Sequence, residues 1–122
     1  MRIAHLADVH IRKLKYHTEY RAVFKQLYDI LRKEEVDNIV ICGDLVHTKT
    51  DMSPEMISMV SWLLSSLADI APTVVILGNH DGNLKNSGRL DALTPIVRSL
   101  DHPDLYLLKD SQEMKLKDGF YF

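Results

Sequence analysis

The chain has 122 residues, 46% of them hydrophobic and 26% charged, and a formal net charge of -2. That is the composition of one ordinary globular domain, and it excludes an overall basic field for nucleic acid while leaving a local one at Arg12, Lys13 and Lys15. The single cysteine, Cys42, cannot form an internal disulfide, which fits an intracellular setting, cytoplasm or nucleus; no apolar run approaches the ~18 residues of a membrane span, so no membrane partner is expected.

In chain order, the elements alternate. Residues 2–8, RIAHLAD, read as a strand entered directly, without the charged-then-apolar pattern of a signal peptide. Residues 19–33 carry Tyr20, Val23, Phe24, Leu27, Ile30 and Leu31 at helical spacing. NIVICGD, 38–44, is a continuous apolar run ending at glycine, as a buried strand does. Ser53 and Pro54 make a good helix start, N-cap followed by proline at the first helical position. That helix should reach about Asp69, with Met56, Met59, Val60, Leu63, Leu64 and Leu67 on its apolar face. TVVILGN, 73–79, is a third strand; residues 89–100 are helical, with Pro95 kinking or splitting the helix. Residues 105–110 and 114–122 suggest two more strands.

Alternating strands and helices imply a parallel sheet, with ligands bound along the edge where the carboxyl ends of the strands lie. The first strand ends in ADVH, the second in CGDLVH, the third in GNHD. Each holds Asp and His, so these residues should meet on one edge. Asp8 and His10, two apart, should point to the same side of an extended chain and suit one metal ion. Asp44 adds a carboxylate able to bridge two ions, and Asn79 a neutral amide oxygen. Oxygen and imidazole donors favour Mn, Fe, Zn or Mg. Two ions roughly 3.5–4 Å apart are the usual arrangement for hydrolysing phosphoesters, with a nearby imidazole to protonate the leaving oxygen or stabilise phosphoryl charge. Gly43 and Gly78 stand where the backbone must turn off each strand. Asp8 and His10 alone read most readily as a capped turn, Gly43-Asp44 alone is commonplace, and GNHD alone reads either way; their order and placement together do not read as capped turns. His5 and Cys42 are expected to pack in the sheet. His17 is expected at the start of the first helix, with a sequence-independent DNA contact beside Arg12, Lys13 and Lys15 as the alternative, and His102 in a turn without a role.

The series Asp8-Val9-His10, Gly43-Asp44 and Gly78-Asn79-His80-Asp81 resembles the calcineurin-like metallophosphoesterase superfamily. The resemblance implies an α/β fold, the first half of a four-layer αββα sandwich with a parallel or mixed sheet flanked by helices. It implies a dinuclear centre, most readily Mn2+ with Mg2+, Fe or Zn as alternatives. Asp8 and His10 would hold one ion, Asp44 would bridge, and Asn79 would hold the other. His80 would be the phosphate-contacting catalytic histidine, oriented by Asp81. The stretch GDLVH, with His47 three residues after Asp44, is similar to the Mre11/SbcD-type DNA repair nucleases, where a histidine so placed positions the DNA phosphate. The stretch SGRLDALTPIV after GNHD is similar to the same branch. The branch implies DNA as substrate, 3'-5' exonuclease and endonuclease activity in double-strand break repair, a homodimer, and an ATPase partner of the Rad50/SbcC kind.

The family completes its metal site with a further histidine and a G-H-x-H motif, and neither occurs in residues 1–122. The chain therefore reads as a single metallophosphoesterase domain cut before its C-terminal half, weak for metal and inactive alone. The alternatives are a small-molecule phosphoesterase, such as a cyclic-nucleotide or nucleotide hydrolase, and a non-catalytic remnant that binds a partner.

Overall fold

The computed structural model describes residues 1–12, 16–46, 53–77 and 93–108. Within them the order is β1 (Ile3–Ala7), α1 (His17–Lys33), β2 (Asn38–Cys42), α2 (Pro54–Ile70), β3 (Thr73–Ile76), α3 (Thr94–Leu100) and β4 (Leu105–Leu108). The suggested strand at 114–122 lies outside the described residues.

The strands form one parallel sheet in the order β1-β2-β3-β4, with Ile3 opposite Asn38, Ile39 opposite Thr73 and Thr73 opposite Leu105. Because side chains alternate along a strand, each face of the sheet is lined by every second residue. One face, with Leu6, Ile39, Ile41, Val75 and Leu105, joins Phe24, Tyr28 and Leu31 of α1, the buried stripe of α2 and Ile96 of α3 in a single core. The opposite face carries a smaller cluster, Val74 and Leu108 with Ile76 and Tyr106. Helices on a parallel sheet are the α/β arrangement expected from the sequence.

Helix α2 starts as its sequence requires. The Ser53 side chain accepts a hydrogen bond from the Met56 N–H at 3.2 Å, and Pro54 opens the first turn. Met56, Met59, Val60, Leu63, Leu64 and Leu67 are all buried, each side chain worth about 1.5–3 kcal/mol of transfer free energy. One helix boundary differs from the sequence reading. Helix α1 begins at His17 rather than Glu19, because the carbonyl of Tyr16, itself left-handed (φ 64°), already takes the Tyr20 N–H at 2.8 Å. Pro95 stands in the first turn of α3, where its missing N–H breaks no intrahelical bond; residues 89–92, on which the expected kink or split turns, lie outside the described residues.

Strands β1 and β2 also end sooner than the hydrophobic runs suggest. Each stops where the backbone turns left-handed, at Asp8 (φ 53°) and Gly43 (φ 71°). No described helix is long and apolar enough to cross a membrane.

Candidate metal centre

The loops leaving β1 and β2 run side by side past the end of the sheet. The His10 N–H donates to the Asp44 carbonyl and the Ile11 N–H to the Leu45 carbonyl, both at 2.9 Å, and Ile11 bridges to Val46. The Gly43 N–H reaches the Ile76 carbonyl at 2.8 Å, tying the second loop to the end of β3. Ile11, Leu45 and Val46 are fully buried. Each polar residue of interest is thus followed directly by an aliphatic anchor: His10 by Ile11, Asp44 by Leu45. The loops are pinned from below while their polar side chains stand above.

Asp8, His10 and Asp44 all adopt left-handed backbone, with φ of 53°, 51° and 50°. For non-glycine residues this conformation costs roughly 1–2 kcal/mol, less for Asp. The expectation that Asp8 and His10 point together from an extended chain is therefore corrected: both turn out of the strand conformation, and the turning itself brings the groups together. His10 Nε2 lies 3.6 Å from Asp8 Oδ1 and 3.9 Å from Asp44 Oδ2. One ligand atom from each of the three residues lies within 4.8 Å of the others.

This donor set fits a hard divalent ion. Donors about 2.1 Å from a shared octahedral ion stand roughly 3.0 Å apart when adjacent and roughly 4.2 Å when opposite. The two observed separations, 3.6 and 3.9 Å, match neither value as they stand, but they are close enough for small side-chain movements to bring the three groups onto one ion. Two carboxylates beside an imidazole also supply the negative charge that a divalent cation offsets. Exposure is graded across the set: the Asp44 side chain is 23% exposed, His10 32% and Asp8 76%. Asp44 therefore sits deepest and Asp8 at the rim.

Asn79, His80, Asp81 and His47 lie outside the described residues, as do Lys13 and Lys15. Other histidines take up different tasks. His5, on the exposed side of β1, stands 2.9 Å from Cys42 Sγ, and Cys42 is only half-buried; neither is packed away as expected, because β1 borders the sheet and this row of side chains faces away from the helices. His17 Nε2 donates to the Arg12 carbonyl at 2.6 Å, so its ring engages the loop after β1. His102, expected to be idle, joins Asp69 at 2.7 Å and accepts the Asp104 N–H, fastening the turn before β4 to the end of α2. Sequence reasoning missed Tyr20, whose hydroxyl donates to the His10 carbonyl at 2.9 Å. Its helical spacing marked it only as a core residue.

The family model for calcineurin-like phosphoesterases matches residues 1–119. The chain is 50% identical over 113 residues to the uncharacterized protein R555 of Acanthamoeba polyphaga mimivirus, a match covering 89% of this chain and 8% of that protein. It is 33% identical to the DNA double-strand break repair protein Mre11 of Sulfurisphaera tokodaii, over 68% of this chain and 23% of the relative. It is 36% identical to a subunit of the SbcCD nuclease of Bacillus subtilis, over 80% of this chain and 25% of the relative. Among solved structures, the nuclease MPE of Pseudomonas putida superposes with a TM-score of 0.59 at 25% identity, covering 93% of this chain and 50% of that one. The chain thus matches a quarter or less of each of these curated relatives and half of the nuclease structure.

Proposed function

The chain belongs to the calcineurin-like phosphoesterase family, and from that premise we propose that it supplies the N-terminal half of a metal-dependent phosphodiesterase acting on DNA in double-strand break repair. One observation carries the reading: the convergence of Asp8, His10 and Asp44 at the carboxyl edge of the sheet. Similarity to proteins named as nucleases directs it toward DNA.

In this proposal Asp8 and His10 would hold one ion, Asn79 would hold a second, and Asp44, the least exposed of the three described residues, would be shared between them. Mn2+ is the favoured metal. Bound divalent ions would supply Lewis acidity at phosphorus and a lowered pKa for water. The chain's own residues do the rest. His80 donates to the phosphoryl oxygens or the leaving oxygen, and Asp81 fixes the orientation of its ring. His47 and the basic residues Arg12, Lys13 and Lys15 bind phosphates without reading sequence. The further histidine and the G-H-x-H motif that close the site in the family do not occur in residues 1–122, so in this proposal these residues alone supply only part of the ligand set. A homodimer, a Rad50/SbcC-type ATPase partner, combined 3'-5' exonuclease and endonuclease activity and an intracellular location belong to the same proposal.

Two experiments test it. Calorimetric titration of the 122-residue chain with Mn2+, paired with a nuclease assay, should give weak binding and little turnover; tight binding of two ions with robust turnover would overturn the incompleteness. The second is a chimera in which residues 1–119 replace the matching segment of the Bacillus subtilis nuclease protein. Once circular dichroism shows it folded, it should cleave DNA ends with Mn2+ and lose cleavage on Asp44→Ala. His47→Ala should slow DNA cleavage more than hydrolysis of bis-p-nitrophenyl phosphate. A folded chimera that hydrolyses cyclic nucleotides but leaves DNA ends intact would replace the DNA reading with a small-molecule one.

A further inference from the structure

The backbone of His10 is held from more than one side. Its left-handed conformation (φ 51°) carries an intrinsic cost for a residue with a β-carbon, so something must hold it. The N–H of His10 is held by the Asp44 carbonyl across the two loops. Its carbonyl is held by Tyr20, from the first turn of α1, through a hydroxyl hydrogen bond of 2.9 Å. One turn earlier His17 holds the Arg12 carbonyl at 2.6 Å. The carbonyls of His10 and Arg12, the residues on either side of Ile11, are therefore tied to the same helix end, and Ile11 itself is fully buried.

Tyr20 is in turn fixed. Its ring stacks on Phe24 with centroids 5.8 Å apart and planes 14° from parallel, and Phe24 meets Trp62 of α2 at 6.2 Å. On the other side Tyr20 meets the His17 ring at 6.1 Å. This aromatic row connects the α1–α2 packing layer to the loop that carries His10. A hydroxyl on a ring held in this way has little freedom to follow a moving carbonyl, so it fixes the carbonyl instead.

We propose that Tyr20 is a positioning residue: its hydroxyl, assisted by His17, locks the left-handed backbone of His10 and thereby aims the imidazole at Asp8 and Asp44. The proposal rests on the metal-centre reading for its purpose, although the clamp can be tested without metal. Substituting Tyr20→Phe keeps the stacked ring and removes only the hydrogen bond.

In the metal-free chain, amide hydrogen exchange read by NMR should accelerate about tenfold at His10 and Ile11, whose N–H groups bond to Asp44 and Leu45. Amides in α2 and β3 should exchange as in the unsubstituted chain, and the thermal midpoint should stay put. Mn2+ titration followed by paramagnetic broadening near Asp8, His10 and Asp44 should show affinity weakened about tenfold, the low end for loss of a group that orients a ligand. Unchanged exchange at His10 and Ile11 in Tyr20→Phe would overturn the clamp, whatever the metal does. Accelerated exchange with no Mn2+ broadening in either protein would leave the clamp standing and overturn the metal-centre reading.

Discussion

The loops that leave β1 and β2 and the helix layer beneath them solve opposite problems. Helix α2 is regular, capped by Ser53 and buried along a full stripe of side chains. The loops hold non-glycine residues in left-handed backbone at Asp8, His10 and Asp44 and face solvent to different degrees. Helix α2 gains its free energy from apolar burial in unstrained geometry. The loops retain strained conformations because buried anchors and cross-loop hydrogen bonds over-determine them, which is the pattern of a functional site. Packing stability and site geometry therefore reside in different residues, and substitutions should separate them.

The largest expected effect is in the helix layer. Leu64 has no exposed surface and faces the common core, so Leu64→Ala should cost about 2–5 kcal/mol through lost transfer free energy and a residual cavity. Urea denaturation followed by circular dichroism measures it. A loss below about 1 kcal/mol would mean that the layer repacks around the gap and is looser than its burial implies.

Much of this division is legible in the sequence. The apolar stripe of α2, the Ser53-Pro54 start and the strand at 38–42 follow from spacing and capping rules. Asp8, His10 and Asp44 stand out because they fall at successive strand ends. The conformations at those ends are not legible, since periodicity carries no sign of φ and an Asp or His is compatible with strand or left-handed backbone alike. For the same reason the tie from Tyr20 to His10 is invisible: the periodic pattern assigns Tyr20 to packing, and a hydroxyl partner ten residues away leaves no trace in it. The start of α3 shows a further limit, because Pro95 fits a kink and a first turn equally well until the backbone is known.

Ser53→Ala comes next in size. The side chain of Ser53 caps α2 through the Met56 N–H, and its loss should cost about 1 kcal/mol. Ser53→Asp, which keeps an acceptor and adds charge at the helix N-terminus, should recover most of it. If both variants lose stability equally in urea, the residue acts through burial and not through capping.

A smaller effect of opposite sign is expected in the loops. Asp8 is left-handed and its side chain 76% exposed, so Asp8→Gly relieves backbone strain at little packing cost. Stability should rise by about 0.5 kcal/mol, while Mn2+ affinity should fall. Gained stability with lost metal binding is the signature of strain held for function. A variant that loses both would place Asp8 in the packing layer and erase the contrast.

The smallest effect returns to the helix layer and concerns charge. Tyr28 on α1 is only 5% exposed, and its ring meets Trp62 edge-on at 5.5 Å. Burial raises the pKa of its phenol above the ordinary 10.0, against opposing contributions from Ser66 and Arg32. The folded chain thus binds this proton more tightly than the unfolded one. The stabilising contribution is complete below pH 10.0 and is lost as pH rises through the raised folded value. Urea midpoints compared between about pH 9 and about pH 11 should fall more for the unsubstituted chain than for Tyr28→Phe, which has no proton to lose. Parallel declines would mean that the layer opens enough to solvate a phenolate, and the contrast between a packed layer that rejects charge and a loop edge that gathers it would weaken accordingly.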